Sequence, residues 1–459
     1  MNEHPASSAS DEQIEAAIAR ARQSPFYQRH LDGIAIRSRA ELRRAPLTTK
    51  DHLRDASPNG MLIVPRERAW HYHETSGTTG EPISTWCGLP EVQQMGAIVH
   101  RMTPELSQPS MLLNRFPLFA PVSFVFEEAM RTAGYCHIAA GNLSWDVPFD
   151  RALDFLIRLE ATALSSLPLE PILLREVART KGISLPGAVE ALKVLFLGGA
   201  ILPPAMRRMI ERDFGARIVE IYGSNETLLM GVGCTAGRLH VSEELVEMEL
   251  LDAQSQVPVA PGELGVVTIT SLVHTVAPLV RYFTGDLARA HVDACACGTP
   301  GRTIEVFGRF DDVIRWNGVR LSHYELLDAC YDFVPKLGAR IFFVVIQPDK
   351  LRLLVEVDHP ANRLNPSAES ELAARVKMPI EVEYLAENDV LDRSALFRTP
   401  KIYKPSQISD WRGSGRKTIT IMEALLEWPK FDRATIYHLI RRQIASARRR
   451  RRFLRDKPA

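Results

Sequence analysis

The stretch LKVLFLGGAILPPAMRRMIERDFGARIVEIY, residues 192–222, predicts a strand, a helix and a second strand in direct succession. Residues 192–197 and 217–222 are short apolar runs of strand length, and residues 203–213 between them are predicted to be helical. Strands that alternate with helices are typical of parallel sheets with helices on their faces. The stretch therefore indicates an α/β fold.

The same alternation extends toward the N-terminus. An apolar run at 162–166 is predicted to be a buried strand, and residues 149–159 and 170–181 on either side of it are predicted to be helical. Residues 11–31 carry apolar positions at helical spacing behind Ser10, a preferred N-cap residue. We therefore expect a large N-terminal domain built on parallel α/β sheets.

The pattern changes in the second half of the chain. Residues 257–290 are β-rich and punctuated by turns, which predicts a β-rich subdomain within the large domain. A second unit begins near Gly308, and it is predicted to hold strands at 338–347 and 351–357 and helices at 323–330 and 367–376. We expect three regions: a large domain at 1–310, a small α+β C-terminal domain at 311–411 and a basic helical tail at 412–459.

The composition excludes some classes of protein. The chain has 459 residues, of which 46% are apolar and 24% charged, and its net charge is +1, so it shows no overall attraction to nucleic acid or membranes. It has no apolar run of about 18 residues and no apolar segment near the N-terminus, so we expect no membrane span, no signal peptide and a cytoplasmic location. The six cysteines are expected to be reduced, and clustered ones indicate metal ligands before disulfides.

The tail has a composition of its own. Residues 418–445 are predicted to form an amphipathic helix, and an unbroken run of arginines follows at 448–452. The run is either a solvated helix end, where the helix dipole favours cations, or a contact for phosphate groups, an acidic carrier protein or nucleic acid. The arginine run is the only feature of the sequence that would support a nucleic-acid partner, so we do not expect one.

A loop with two glycines and four hydroxyls lies at 75–80, within the stretch HETSGTTG, residues 73–80. Glycines let backbone N–H groups approach an anion closely, and hydroxyls add rotatable donors, so the loop is suited to holding phosphates. It is not a Walker A loop, because no Gly-Lys-Ser/Thr follows. Taken alone, it could equally be a polar turn.

Three further motifs end in groups that suit a nucleotide. IYGSNET, residues 221–227, follows an apolar strand, and its glutamate could hold Mg²⁺ while its tyrosine stacks on a base. VRYFTGD, residues 280–286, ends in an aspartate suited to accepting hydrogen bonds from ribose hydroxyls. GRFDDVI, residues 308–314, with Asn317 and Gly318 after it, indicates a hinge with a charge clamp. Each motif alone could also be a turn with a surface ion pair.

In their order and spacing the four motifs resemble the adenylate-forming superfamily of acyl-CoA ligases, peptide-synthetase adenylation domains and luciferases. The phenylacetate-CoA ligase branch is the most similar, because SPFY at 24–27, PLTTK at 46–50 and PRE at 65–67 look like its N-terminal region. The similarity covers residues from about 12 to 410. It implies the fold of that superfamily, with a small C-terminal domain that moves.

The resemblance also implies a role for each matching residue. The nucleotide contacts that it implies are the phosphate loop of Thr75, Ser76, Gly77, Thr78, Thr79 and Gly80, the adenine contacts Gly199, Ala200, Tyr222 and Gly223, and the ribose contacts Asp286 and Arg309. Glu226 would bind Mg²⁺, Asp311 would be the hinge, and the loop around Gly318 would face the acceptor in a second half-reaction.

The catalytic lysine is harder to assign. The family places it near the end of the small domain, where this chain has KIYK, residues 401–404. Lys401 fits the family pattern best, but the Ser-Gly that normally precedes it is missing, so Lys404 stays an alternative. Two other departures, Glu81 directly after the phosphate loop and Phe283 in the third motif, replace positive charges near the nucleotide.

The resemblance implies an enzyme that activates a carboxylic acid, expected to be aromatic, to an acyl-adenylate with ATP and Mg²⁺, and then passes the acyl group to coenzyme A. Two alternatives are an adenylating enzyme that loads an acyl carrier protein and a non-catalytic adenylate-binding scaffold. A homodimer is an expectation from the same branch. An apolar acid pocket or the plain core could each account for the phenylalanines at 116, 119, 124 and 126.

A cysteine cluster predicts a second kind of site. Cys295 and Cys297 form a Cys-x-Cys-Gly turn, and Cys234 and His240 lie upstream. Two neighbouring thiolates with a distant cysteine and histidine fit a tetrahedral structural zinc site, and some members of the branch carry a similar string. The alternative is buried, unliganded cysteines, which is what we expect of the remaining three, Cys87, Cys136 and Cys330.

Overall fold

The computed structural model describes residues 9–75, 81–142, 147–357, 366–397 and 406–412. The α-helices of these ranges are α1 Asp11–Ala21, α2 Pro25–His30, α3 Lys50–Ala56, α4 Leu89–Met102, α5 Pro121–Ala133, α6 Phe149–Arg158, α7 Glu170–Thr180, α8 Pro204–Phe214, α9 His323–Phe333 and α10 Pro366–Val376. Among the described helices, each is too short or too polar to cross a membrane.

The strands fall into two larger sheets and two hairpins. They are β1 His71–Glu74, β2 Ser84–Cys87, β3 Met111–Asn114, β4 Cys136–Ala139, β5 Ala163–Ser166, β6 Val194–Gly198, β7 Arg217–Ser224, β8 Leu228–Gly233, β9 Leu239–Val241, β10 Val246–Leu251, β11 Leu264–Ser271, β12 Tyr282–Ala290, β13 Thr303–Arg309, β14 Ile314–Trp316, β15 Val319–Leu321, β16 Phe342–Ile346, β17 Leu351–Glu356, β18 Ile380–Leu385 and β19 Ile408–Asp410.

One sheet of eleven strands organises most of the molecule, in the order β10-β11-β12-β13-β9-β8-β7-β6-β5-β3-β4. Strands β3 to β7 pair in parallel, as predicted from the alternation of strands and helices. From β8 onward the pairing is antiparallel. The β-rich region is therefore continuous with the parallel part, because β7 pairs with β6 on one edge and with β8 on the other.

Strand β6 shows why its sequence is a continuous apolar run. Leu195 and Leu197 belong to the hydrophobic cluster on one face of the sheet, and Val194 and Phe196 belong to the cluster on the opposite face. Successive side chains of a strand point to opposite faces, so a strand covered on both sides must be apolar at every position.

One predicted helix divides into two. The pattern at 11–31 predicted a single helix, but α1 ends at Ala21 and α2 begins at Pro25. Pro25 cannot donate a backbone hydrogen bond, and Ser24 caps the second helix by accepting from the backbone N–H of Tyr27. The prolyl ring and the cap residue therefore outweigh the apolar periodicity.

The C-terminal part has its own four-stranded sheet, in the order β18-β17-β16-β19. Its helices α9 and α10 pack together, and α9 also packs against α8. One hydrophobic cluster runs from Leu173 and Met209 on α7 and α8 to Leu326 on α9 and Phe342 on β16. The two sheets are thus joined by a shared apolar layer.

A buried ion-pair group, which we call the clasp, lies within that layer. Arg393 forms ion pairs of 2.8 Å with Glu176 on α7 and of 2.7 Å with Glu356 on β17. Both glutamates are 2% exposed at the side chain, and burial is the main reason why the pKa of Glu356 is raised, against the opposing effect of Arg393. Arg393 therefore offsets part of the cost of burying carboxylates from two units of the fold, and Arg175 and Arg179 also pair with Glu176.

The clasp leads to a stability prediction. Arg393→Met should lower the free energy of unfolding by about 3 kcal/mol, because breaking a buried pair leaves a buried carboxylate without its partner. Arg375→Met is the matched control, since Arg375 is 44% exposed and pairs with Asp328; it should cost less than about 1 kcal/mol. Urea unfolding followed by circular dichroism measures both, and equal losses would show that the clasp contributes no more than a surface pair.

Candidate active site

The ends of the central strands bring the nucleotide motifs together. Strand β7 carries Tyr222 near its end, and β12 and β13 pair so that Asp286 lies opposite Arg309. The hydroxyl of Tyr222 donates to Asp286 Oδ2 at 3.0 Å, and Arg309 Nη1 donates to Asp286 Oδ1 at 3.0 Å. Three residues predicted from separate motifs therefore form one hydrogen-bonded group.

The protonation of this group is set by burial. Burial, and then the charge of Asp286, raise the pKa of the Tyr222 hydroxyl well above its ordinary value. Tyr222 is therefore a neutral donor at physiological pH. Asp286 retains partial exposure, with 19% of its side chain accessible, so the carboxylate has capacity for further donors.

Two glycines are required by the close packing at this edge. Gly285 has φ +82°, and a Cβ there would lie 2.5 Å from Arg309 Nη2. A Cβ at Gly223 would lie 2.0 Å from the carbonyl oxygen of Leu228. A side chain at either position would displace the backbone or the guanidinium that forms the site.

Glu226 lies in the turn between β7 and β8. Its side chain is 7% exposed, and Lys50 Nζ lies 3.9 Å from its Oε1. The pKa of the neighbouring Tyr282 is raised well above its ordinary value, first by burial and then by the charge of Glu226. Asn225 Nδ2 donates to the carbonyl of Glu74 at 3.1 Å, which ties this turn to the strand that leads into the phosphate loop.

The structure describes only the flanks of the predicted phosphate loop. Thr75 lies at its start, where its N–H donates to the carbonyl of Ile83 at 3.0 Å and its hydroxyl accepts from Ile83 N–H at 3.0 Å. Residues 76–80 lie outside the described residues, as do both lysine candidates at 401 and 404.

The predicted adenine segment lies at the same edge of the sheet. Gly199 has φ +77° and follows β6 directly, and Ala200 comes next. The preceding Gly198 pairs with Ile221, the residue before Tyr222. The segment therefore lies next to Tyr222.

The predicted hinge region forms the junction between the two sheets. Asp311 lies in a short 3-10 helix, Phe310–Asp312, directly after β13. Gly318, with φ +81°, forms the turn of the β14–β15 hairpin.

The four predicted zinc ligands come together although up to 63 positions separate them. Their ligand atoms lie within 4.8 Å of one another. Cys234 Sγ is 3.5 Å from Cys295 Sγ, and Cys297 Sγ is 3.3 Å from His240 Nε2. The set of three thiols and one imidazole fits a tetrahedral zinc ion. We call this group the thiol cluster.

A second group of aromatic residues lies at β1, the strand that leads toward the predicted phosphate loop. His71 and His73 share one face of β1, with ring centroids 5.6 Å apart, and Phe124 stacks on His71 at 3.9 Å. Burial, and then the neighbouring His71, lower the pKa of His73 to about 4, so this ring is neutral at physiological pH. These histidines are packing partners of each other and of Phe124.

One expectation about the isolated cysteines needs correction, and the two alternatives for the phenylalanines can be compared with their burial. Cys136 was expected in the core, but it lies exposed at the start of β4, which is an edge strand of the sheet formed by the described residues. The phenylalanines differ in burial, because Phe116 and Phe126 are core residues whereas Phe119 is 55% exposed. An apolar run does not reveal which strand lies at an edge.

Lys50 is the residue of the site to which sequence reasoning assigned no role. In the sequence it is part of the motif PLTTK, residues 46–50, which carried only the family resemblance. Its position beside Glu226 depends on a contact between segments that are far apart in the chain. Thr48 forms a parallel bridge with Tyr282, which carries the start of α3 to the edge where Glu226 lies.

The chain is similar to known proteins in sequence and in fold. No family model matches the chain. A phenylacetate-coenzyme A ligase of Thermus thermophilus is 28% identical over 73% of this chain and 78% of its own length. A phenylacetate-coenzyme A ligase of Escherichia coli is 26% identical over 67% of this chain and 72% of its own.

Among solved structures, a 2-hydroxyisobutyryl-CoA ligase in the postadenylation state superposes with a TM-score of 0.75 at 20% identity, over 88% of this chain and 89% of the other. At this level of identity the likeness establishes the fold. The chain is thus similar in sequence to phenylacetate-coenzyme A ligases, and it has the fold of adenylate-forming enzymes.

Proposed function

We propose that the protein is an AMP-forming acid–thiol ligase, which activates a small carboxylic acid with ATP and transfers the acyl group to coenzyme A. The observation that carries the proposal is the group formed by Tyr222, Asp286 and Arg309, with Glu226 in the adjoining turn. Relatives named as phenylacetate-coenzyme A ligases support an aromatic acid as the substrate.

The first half-reaction is an in-line attack of the acid carboxylate on the α-phosphorus of ATP, with pyrophosphate as the leaving group. Asp286 accepts hydrogen bonds from the ribose hydroxyls, and Arg309 holds that carboxylate in place. Tyr222 positions the base, and the loop at 75–80 holds the phosphates. Catalysis here consists of positioning two anions and offsetting their charge.

Glu226 is the residue that would hold Mg²⁺ in this scheme. A carboxylate beside phosphate oxygens is the environment that Mg²⁺ prefers, and the bound ion supplies charge stabilisation to the triphosphate. The side chain of Glu226 is only 7% exposed, so the surrounding residues hold its carboxylate away from bulk solvent.

The second half-reaction is attack of a thiol on the acyl-adenylate, which releases AMP. We propose that the small domain at 311–411 turns about Asp311 between the two steps, which removes the catalytic lysine and brings the loop around Gly318 to the acceptor. Coenzyme A is the acceptor that the names of the relatives support.

The central test is acid-dependent exchange of pyrophosphate into ATP over a panel of aromatic and aliphatic acids. We expect exchange with at least one aromatic acid, and an acyl-CoA product when coenzyme A is added. Glu226→Gln should reduce exchange at least about a hundred-fold, because it removes a metal ligand at the reacting phosphates. Tight ATP binding without exchange for any acid would favour the alternative of a non-catalytic adenylate-binding scaffold. Transfer of the acyl group only to a carrier protein would exclude coenzyme A as the acceptor.

A pair of variants tests the lysine assignment. We expect Lys401→Ala to reduce the rate of adenylation by at least about a hundred-fold, because it removes the charge that bridges carboxylate and phosphate. Lys404→Ala is the matched control and should retain most of the activity. Single-turnover measurement of acyl-adenylate formation gives the answer, and the reverse ranking would move the assignment to Lys404.

We further propose that the thiol cluster of Cys234, His240, Cys295 and Cys297 holds a structural zinc ion. Cys234 follows β8, His240 is on β9, and the two other cysteines lie between β12 and β13. The ion would link these segments of the β-rich region to one another, near the strand that carries Tyr222. Its role is structural, because all four tetrahedral positions are filled by protein ligands.

Metal analysis tests the zinc proposal. Protein purified without chelators should contain about one zinc per chain, and Cys295→Ser should lose most of the metal and melt at a lower temperature, because metal binding is coupled to folding. Cys330→Ser, at a buried cysteine outside the cluster, is the control and should keep its zinc. A zinc content near zero that added zinc does not change would reject the site.

A further inference from the structure

The turn between β7 and β8 is closed by two hydroxyl side chains, one on each side of Asn225 and Glu226. Ser224 N–H donates to Thr227 Oγ1 at 3.1 Å, and Thr227 N–H donates to Ser224 Oγ at 3.2 Å. The two hydroxyl oxygens lie 3.0 Å apart. We call Ser224 and Thr227 the hydroxyl pair. Its reciprocal bonds fix the backbone of the turn that carries Glu226.

The hydroxyl pair holds this backbone in a conformation that is unfavourable on its own. Leu228, directly after the turn, has φ +57°, which a bulky side chain rarely adopts. The hydroxyl of Thr227 donates to the carbonyl of Leu228 at 3.3 Å, and Thr227 is fully buried. Backbone strain of this kind persists only where the surrounding contacts impose it. Thr227 supplies such contacts on both sides of the turn.

Other parts of the fold hold the same turn from outside. Burial is the main reason why the pKa of His274 is lowered, so its ring is neutral at physiological pH, and it donates to the carbonyl of Thr227. On the other side, Asn225 Nδ2 donates to the carbonyl of Glu74 at 3.1 Å. The turn is therefore anchored on both sides of Glu226.

Such anchoring matters for a residue that would bind Mg²⁺. The ion demands near-octahedral geometry and is held by one or two carboxylates together with phosphate oxygens, so a displaced carboxylate loses the contact. Residues that orient a metal ligand affect metal affinity although they do not touch the ion. The hydroxyls of Ser224 and Thr227 bond to each other and to the backbone, so their effect on the ion would pass through Glu226.

We propose that Ser224 and Thr227 are positioning residues, whose hydroxyl pair sets the carboxylate of Glu226 where Mg²⁺ on the nucleotide can reach it. The inference rests on the proposed function, since it assumes that Glu226 holds Mg²⁺ beside ATP. It predicts an effect that depends on the metal: loss of the hydroxyl pair weakens the binding of ATP with Mg²⁺ and leaves the binding of ATP without metal unchanged.

Isothermal titration calorimetry of ATP, once with Mg²⁺ and once with EDTA, tests the proposal. Thr227→Val keeps the shape of the side chain and removes its hydroxyl. It should weaken ATP binding at least about ten-fold with Mg²⁺ and less than about two-fold with EDTA, because it disturbs only the orientation of the metal ligand. Thr227→Ser keeps the hydroxyl and should retain most of the affinity measured with Mg²⁺.

Two further variants complete the experiment. Thr103→Val is the matched control and should change neither affinity. Thr103 is also fully buried, it lies between α4 and the 3-10 helix Pro104–Ser107, and its hydroxyl has no hydrogen-bond partner within the described part of the chain. Ser224→Ala breaks the hydroxyl pair from its less buried side and should show the same metal-dependent loss, which keeps the test decisive if Thr227→Val fails to fold.

Equal weakening of ATP binding with Mg²⁺ and with EDTA would overturn the proposal, since the hydroxyl pair would then only maintain the fold. Unchanged binding in the variants, or wild-type binding that Mg²⁺ does not strengthen, would overturn it as well. Failure of the proposed function is a separate result: wild-type protein whose ATP binding is strengthened by Mg²⁺ but which shows no pyrophosphate exchange with any acid is not a ligase, yet a metal-dependent loss in Thr227→Val would still identify the positioning role.

Discussion

Strand β7 is the element on which the rest of the structure depends. It pairs in parallel with β6 and antiparallel with β8, so it joins two kinds of sheet in one hydrogen-bonded surface. Two features of the candidate site lie at the end of this strand. The carboxyl ends of the parallel strands open toward the site there, and the tight turn into β8 presents Glu226 at the same edge.

The site is a small set of polar groups whose charges offset one another. Asp286 is held between Tyr222 and Arg309, and burial keeps the tyrosine protonated as a donor. Such pre-aligned groups need little rearrangement when a ligand arrives, which is how fixed dipoles and charges stabilise a reacting phosphate. The strand that carries Asp286 is also held by Thr48, whose backbone exchanges hydrogen bonds with Arg281 and Phe283.

Much of this arrangement could be predicted from the sequence. The apolar runs that became β5, β6 and β7 are continuous because both faces of the sheet are covered. The three cysteines and one histidine predicted to be zinc ligands come together as their spacing indicated. The split between α1 and α2 was missed, because the apolar period continues across Pro25. The position of Lys50 could not be predicted, since it depends on a backbone bridge between Thr48 and Tyr282 that no local pattern encodes.

Gly285 carries a consequence for the residues around it. A side chain at this position would be strained by the left-handed backbone, with φ +82°, and its Cβ would lie 2.5 Å from the guanidinium of Arg309. The guanidinium would have to shift to make room, and it is the group that donates to Asp286. A substitution of this one glycine would therefore be felt at the carboxylate of Asp286, although position 285 has no functional group of its own.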